Sequence, residues 1–568
     1  MLSLINFFKV FLAVYFLIGM HIILDTPGGT GLYLSYNIIA WLIVTLLIAL
    51  GLWQITVNKK IYYSKMLIGI ALGYSCLLVP AFYDFEFTEH AIPRLLALTA
   101  GLLFLFTLYQ FKFSSRDRSQ ILWLIIMAVA IEASIGLAQF FLFEEDFWGG
   151  YQLGISRPHG VFLQPNVMAS FMATGLAIAL FLSTKSGRKN SLPLIFKLQK
   201  PLIYFVLFAS SFLLVLLQSR TGYLGAFIAL TLIFPYLRKK NCKQLTVNLL
   251  VISLGVSFAL INFNNSNLPK RDSNIYQSVG ARDVIYEVSA DMIMTKPLVG
   301  VGYGNFERGF IDHFNQYAIT KPAVGNTIER LSHPHNEVLF WLVEGGGIAL
   351  LGFIIFTFAY VKMWIKIPTT SALALLALIT PILLHSQLEF PFYSSVSHFI
   401  IFLLLLWFTD NKMPQNIKTI NCPNTFLIRF FALFIPAIFI PFLTTSLHTA
   451  HVLVEHEKNQ YRDLNRLADI INPIAWQDRL DAAVYAHILI SGLKEKNINK
   501  LENYITWGLK RIRHKPRVSV YSNVLLALKI LNRNNEYALL LAQAKQTYPQ
   551  HGDWNENILT IKTKPTDE

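Results

Sequence analysis

Three short polar motifs interrupt a largely apolar chain. The first is Gly160-Val161-Phe162-Leu163-Gln164-Pro165-Asn166, preceded by Arg157 and His159. The second is the turn Ser219-Arg220-Thr221-Gly222. The third is His333-Pro334-His335-Asn336-Glu337, which runs on through an apolar stretch to Glu344-Gly345-Gly346-Gly347. Between the last two lie Gly280-Ala281-Arg282-Asp283 and Pro297-Leu298-Val299-Gly300-Val301-Gly302-Tyr303-Gly304. Taken together these residue types suit one kind of chemistry. Two guanidiniums, Arg220 and Arg282, suit a diphosphate, because arginine keeps its charge and offers a bidentate fork. A neutral histidine, His335 or His333, can accept a proton from a hydroxyl. The amides of Gln164 and Asn166 can bind sugar hydroxyls or peptide carbonyls. No carboxylate cluster for a metal, P-loop or dinucleotide fingerprint is present in the sequence, so neither cofactor nor metal is expected.

Each motif also has a plain structural explanation. Arg220 in a short turn could snorkel to lipid headgroups. Arg282, alone in a polar loop, could simply be solvated. Asn336 could be a helix N-cap. Gln164 and Asn166 could cap a helix that starts at Pro165. The glycines after Glu344 could serve close helix packing.

The elements that must position these residues are transmembrane helices. The chain has 568 residues, 54% of them hydrophobic and 14% charged, with mean hydropathy +0.48. Soluble domains carry about a quarter charged residues. The net charge of +15 suggests nucleic acid only in a soluble protein. In a membrane protein it reflects basic cytoplasmic loops. The expected fold class is therefore all-α and polytopic, with about thirteen spans. These fall near residues 5–24, 35–56, 66–83, 92–111, 119–143, 160–183, 201–218, 222–237, 245–262, 337–361, 371–392, 395–409 and 426–447. The first is expected to be a retained helix, since no small-residue cleavage site follows it.

The charge map orients the bundle. With the N-terminus inside, the cytoplasmic loops hold Lys59, Lys60 and Lys65, then Lys112, Arg116 and Arg118, then Lys185, Arg188 and Lys189, and so on to Lys362, Lys366, Lys412 and Lys418. Short outside loops hold Asp84, Glu86, Glu89, Glu144, Glu145 and Asp146. This places the polar motifs on the periplasmic side of a bacterial inner membrane. Arg220 on that side runs against the general bias, which favours a function for it. Glu132 is the clearest ionisable residue expected at mid-membrane. The cysteines Cys76, Cys242 and Cys422 fall in a span and in cytoplasmic loops, so no disulfide is expected.

Two segments break the rhythm of short loops. Residues 264–336 are rich in turn signals and read as a long periplasmic loop within a membrane domain of residues 1–447. Residues 448–568 have apolar positions at helical spacing. They read as four to six short amphipathic helices, a helical-hairpin array in the periplasm.

The pattern His333-Pro334-His335-Asn336-Glu337 with Glu344-Gly345-Gly346 resembles the signature of the O-antigen ligase and polymerase superfamily. Ser219-Arg220-Thr221-Gly222 resembles its arginine-bearing turn. Arg157 to Ala169, and His385-Ser386-Gln387-Leu388-Glu389-Phe390-Pro391-Phe392-Tyr393, are similar to the PglL-type branch, the bacterial protein O-oligosaccharyltransferases. The resemblance implies an undecaprenyl-diphosphate-linked oligosaccharide as donor, moved en bloc to Ser or Thr of a pilin or other periplasmic protein. It implies His335, Arg220 and Arg282 as catalytic residues. Arg157, His159, Gln164, Asn166, His333, Asn336, Gln387, Glu389 and Tyr393 are the associated substrate-binding candidates. The expected partners are this donor, the acceptor protein and membrane lipid, with no nucleic acid. Within the superfamily the alternatives are ligation to lipid A-core or polymerisation of repeat units. Outside it, the alternative is a flippase, which places paired charges at mid-membrane instead of gathering them at one face.

Overall fold

The computed structural model describes residues 3–24, 26, 28–143, 150–185, 197–264, 268, 282–321, 331–365, 367–412, 417–459, 464–549, 551 and 554. Glu144, Glu145, Asp146, Arg188, Lys189, Gly280, Ala281 and Lys366 lie outside the described residues.

The described residues are almost wholly helical. The first nine helices are α1 (Leu4–Leu17), α2 (Ser35–Asn58), α3 (Lys65–Leu78), α4 (Ile92–Gln110), α5 (Ser115–Phe141), α6 (Pro165–Ser183), α7 (Gln199–Leu217), α8 (Arg220–Lys240) and α9 (Cys242–Asn264). Then come α10 (Arg282–Thr295), α11 (Phe306–Thr320), α12 (Glu337–Trp364), α13 (Thr369–Ser386), α14 (Val396–Asp410) and α15 (Phe426–Lys458). The last four are α16 (Gln477–Glu495), α17 (Ile498–His514), α18 (Val518–Ile530) and α19 (Asn534–Thr547). Twelve helical segments among the described residues are long and apolar enough to cross a membrane. The one expected span outside these twelve, near 395–409, is the 15-residue α14. At 1.5 Å per residue it covers about 22 Å, short of a hydrocarbon core of about 30 Å. Pro391 and the Ser395 cap, whose hydroxyl accepts from His398 N at 3.4 Å, set its late start. In contrast α15 has 33 residues and runs on well beyond the expected end at 447.

Two features depart from the sequence reading. Residues 60–64 (β1) and 417–421 (β2) form a two-stranded antiparallel ribbon, with Lys60 opposite Asn421 and Ser64 opposite Ile417. Both strands come from loops assigned by charge to the cytoplasm, and their pairing requires those loops to lie on one side. The turn-rich segment 264–336 also contains the helices α10 and α11.

Contacts divide the chain into two compact units. The first comprises Met1–Tyr74, Leu96–Ser278 and Ile354–Leu447. At its centre is α6, in which every residue from Val167 to Ser183 is buried. Helices α5, α7, α8 and α13 pack around it. The second unit comprises Ser75–Leu95, Val279–Phe353 and His448–Glu568. Here α16 to α19 pack as successive antiparallel neighbours. Leu501, Tyr504, Ile505 and Ile512 form the buried stripe of α17 and meet Tyr521, Val524, Leu525 and Leu528 of α18. Asn315 Nδ2 of α11 donates to Thr547 O at 2.9 Å, and Arg517 pairs with Glu307. The C-terminal helices thus hold the segment that follows Gly304.

Candidate functional site

In the first unit the motif residues gather where α2, α6 and α13 meet the ordered turns beside them. Pro165 opens α6, with Gln164 at the N-cap position; the Gln164 side chain makes no capping bond. The turn before it is fixed from α5. Gln139 Oε1 accepts from His159 N and Gly160 N, both at 2.9 Å. Glu132 Oε2 accepts from Val161 N at 3.2 Å, and its Oε1 lies 2.6 Å from His21 Nδ1. Glu132 is therefore not a lone mid-membrane charge: it anchors the 160–162 turn. Burial holds the His159 imidazole below its usual pKa, against a smaller upward pull from the Gly160 carbonyl.

The segment after α13 packs on the same end. Asn166 Nδ2 donates to Glu389 Oε1 at 2.6 Å. Tyr36 OH donates to Ser394 O at 2.6 Å and lies 3.3 Å from Phe162 O. Asn37 Oδ1 accepts from Val396 N at 2.8 Å, and its amide lies 3.4 Å from Tyr393 O. Gln387 Nε2 donates to Ser386 Oγ at 3.1 Å. Gln164, Asn166, Glu389 and Tyr393, far apart in sequence, are thus brought into one neighbourhood. Arg157 Nη1 donates to Leu217 O at 2.6 Å, which ties the first motif to the turn that carries Arg220. In that turn Gln218 is left-handed at φ 46°, and Ser219 Oγ accepts from Gly222 N at 3.1 Å. Arg220 is the first residue of α8 and is half-buried.

In the second unit Arg282 is the first described residue of α10, also half-buried. His333, His335 and Asn336 form the entry to α12. Asn336 Oδ1 accepts from Leu339 N at 2.9 Å, so it does cap the helix. The two histidines differ sharply. The His333 ring is buried, 4.6 Å from the Phe340 ring. Its Nδ1 accepts the His335 N–H at 3.0 Å, so Nε2 carries the proton, 3.5 Å from Glu337 Oε2. His335 sits left-handed at φ 57° and is half-buried.

The glycine motifs fit one another. Within α12, Gly346 takes φ 63° and ψ −155°, a conformation open only to glycine. The helix breaks there and frees carbonyls upstream. Val301 N donates to Val343 O at 2.9 Å and Gly302 N to Glu344 O at 3.0 Å, while Gly347 N donates to Pro297 O at 2.9 Å. The 297–304 loop therefore caps a broken helix, which is more than close packing. Glu344 pairs with Arg94, whose guanidinium lies 4.5–4.7 Å from the Tyr303, Phe340 and Trp341 ring centres.

Sequence reasoning did not single out Arg94, Gln139, Ser170 or His398 as functional candidates, and it quoted His385 within the PglL-type motif without giving it a role. Arg94 carried a usable signal, since it is basic on the expected outside, as Arg220 is. Polar side chains inside apolar spans were the signal for the others. Among the described residues no three His, Cys, Asp or Glu side chains converge as a metal-ligand set.

Residues 205–354, which hold Arg220, Arg282, His335 and the glycine motifs, match the family described as O-Antigen ligase. Residues 158–182 match Protein glycosylation ligase. Residues 373–559 match Virulence factor membrane-bound polymerase, C-terminal. A General O-oligosaccharyltransferase of Acinetobacter baylyi (strain ATCC 33305 / BD413 / ADP1) is 26% identical over 304 residues. That alignment spans 50% of this chain and 50% of the relative's length. Over these residues the chain is similar to the O-antigen ligase and polymerase families, and its many-helix membrane fold fits them. The match at 158–182 and the Acinetobacter relative add a likeness to the PglL-type branch.

Proposed function

We propose that this chain is an O-linked oligosaccharyltransferase of the bacterial inner membrane, working at the periplasmic face. It moves a glycan en bloc from undecaprenyl diphosphate to a Ser or Thr hydroxyl of a pilin or other periplasmic protein. The acceptor oxygen forms the new bond to the anomeric carbon as the bond from that carbon to the diphosphate oxygen breaks. The leaving diphosphate keeps the electron pair, and the hydroxyl proton passes to His335.

The observation that carries this reading is the position of Arg220, which opens α8 directly after the Ser219 cap. A cation there opposes the helix dipole and is normally disfavoured. An anion reverses the balance, because free N–H groups and a guanidinium then act together. Polyprenyl diphosphate is the anion that the family implies. Arg220 therefore serves to bind the diphosphate and to stabilise the charge it gains on leaving, and the family resemblance gives Arg282 the same part. His335 is the base, its ring positioned by the left-handed turn. Gln164, Asn166, Gln387, Glu389 and Tyr393 align glycan or acceptor, and Arg157 and His159 shape the turns beside them. The long 264–336 segment and the helical region 448–568 are the periplasmic parts, and residues 1–447 form the membrane domain.

The test uses purified protein, undecaprenyl-diphosphate-linked oligosaccharide and a pilin acceptor. A mass increase equal to the glycan on the pilin is the expected result. Labelled lipid A-core or lengthened lipid-linked glycan as sole product would instead make the chain a ligase or a polymerase. These two readings draw support from the descriptions of the families matched at 205–354 and 373–559.

A further inference from the structure

A continuous buried hydrogen-bond chain ends at Glu389. Ser395 Oγ lies 2.9 Å from His398 Nδ1, and His398 Nε2 lies 3.0 Å from Ser170 Oγ. Ser170 Oγ lies 2.7 Å from His385 Nδ1, and His385 Nε2 lies 3.1 Å from Glu389 Oε2. His385, His398 and Ser395 are fully buried, and Ser170 nearly so. Such residues in an apolar bundle are costly and call for a reason.

With Glu389 ionised, a one-way assignment of protons satisfies every link. Ser395 donates to His398, His398 to Ser170, Ser170 to His385, and His385 to Glu389. The Ser170 proton is then drawn to His385 at 2.7 Å and away from the Val167 carbonyl at 3.0 Å. All donors point the same way, so each bond polarises the next. In that assignment the negative charge rests on Glu389. Its other oxygen takes the Asn166 amide at 2.6 Å.

This fixes which way Asn166 faces. A carboxylate only accepts, so the NH₂ end of Asn166 must meet Glu389. Asn166 Oδ1 is turned the other way, and it is buried without a hydrogen-bond partner among the described residues. An orphaned acceptor next to Gln164, at the start of α6, is satisfied by a ligand that donates.

We propose, building on the transferase reading, that Asn166 is a substrate-reading residue that presents its carbonyl oxygen to an O–H or N–H of a substrate. Glu389, His385, Ser170 and His398 are positioning residues that hold its amide in that orientation. The substrate group is a hydroxyl or acetamido N–H of the glycan, or a hydroxyl or amide N–H of the acceptor chain. The shared chemistry is a hydrogen-bond donor.

The test is a set of Kd values for undecaprenyl-diphosphate-linked oligosaccharide and for a Ser-containing pilin peptide. They are measured on full-length protein, with transfer assayed in parallel. Glu389→Gln lets the Asn166 amide turn over, and Asn166→Asp sets two carboxylates against each other. Each should weaken one of the two Kd values by roughly tenfold, the scale of one lost hydrogen bond. The double variant Asn166→Asp/Glu389→Gln restores a donor-to-acceptor contact and leaves a carboxylate oxygen facing the substrate. It should return to within about threefold of the parent. A shift in the lipid-linked donor assigns the group to the glycan, and a shift in the peptide assigns it to the acceptor. Singles that bind both ligands like the parent, or a double variant no better than the singles, would overturn the proposal. Failure of the parent to transfer glycan would defeat the transferase reading alone, since the binding comparison stands without turnover.

Discussion

Replacing His333 and replacing His335 should damage the protein in different ways, although the two residues flank the same proline. His333 Nδ1 accepts the His335 N–H at 3.0 Å and so holds His335 at φ 57°. A left-handed, non-glycine residue costs about 1 kcal/mol or more. The bond that offsets this cost contributes about 1 kcal/mol. His333→Ala removes it, so the turn should lose about 1–2 kcal/mol. That corresponds to roughly a 5–30-fold smaller population of the productive turn. kcat/KM should fall by that factor, with the Kd for lipid-linked donor unchanged. Asparagine places an oxygen near the Nδ1 position, so His333→Asn should keep kcat/KM within about threefold of the parent. His335→Ala removes the proposed proton acceptor and should cost roughly 10²–10⁴-fold in kcat. The assay is steady-state transfer to a pilin acceptor, with accumulation and melting temperature measured on each variant. If His333→Ala were as damaging as His335→Ala, and His333→Asn no better, the positioning argument would fail and His333 would be the base.

Three further outcomes are expected. Arg220→Ala should weaken donor binding by roughly 10–100-fold, and Arg220→Lys should recover only part of it, because an ammonium cannot reproduce the fork; donor titrations decide this. Gly346→Ala should lower stability by about 2–4 kcal/mol, from backbone strain and from a Cβ set against Leu298 O, and a melt matching the parent would contradict the helix-break reading. His514 is pushed down to about 3 by burial, with His90 and Lys515 adding to the shift and Asp478 opposing it. Its folded form stays neutral while the unfolded chain protonates near pH 6.5, so stability present at pH 7.5 is lost as pH falls toward 3. By pH 5 the loss is at most about 2 kcal/mol, and His514→Asn should flatten the dependence in thermal melts.

The membrane helices were legible in the sequence because each is specified locally, by about twenty apolar residues. Non-local features were not. The β1–β2 ribbon joins strands more than 350 residues apart, and neither Lys60–Ser64 nor Ile417–Asn421 shows an alternating pattern by itself. Helices α10 and α11 were hidden by the glycines and prolines around them. Phe306 and Phe310, buried in α11, show their helical spacing only over a single short stretch. Of the candidate site, the residue types were readable but their division of labour was not. His333 and His335 are alike in sequence; one backbone torsion and one hydrogen bond separate them.

The glycine motifs show why that division matters. Read alone, Glu344-Gly345-Gly346-Gly347 suggests a helix packed closely on a neighbour. Its actual work is to end a helix inside apolar surroundings, where unpaired carbonyls are costly. The 297–304 loop can meet those carbonyls because its own glycines let the backbone approach, with Gly300 at φ 70° and Gly302 at φ 93°. The break leaves the segment that begins with Glu337 as a short helix of its own. That short helix is fixed by the loop's hydrogen bonds and by the Arg94–Glu344 pair. The entry turn carrying His335 therefore rests on a separately anchored element, and changes in Gly300, Gly302 or Arg94 should reach His335 through the backbone without touching its ring.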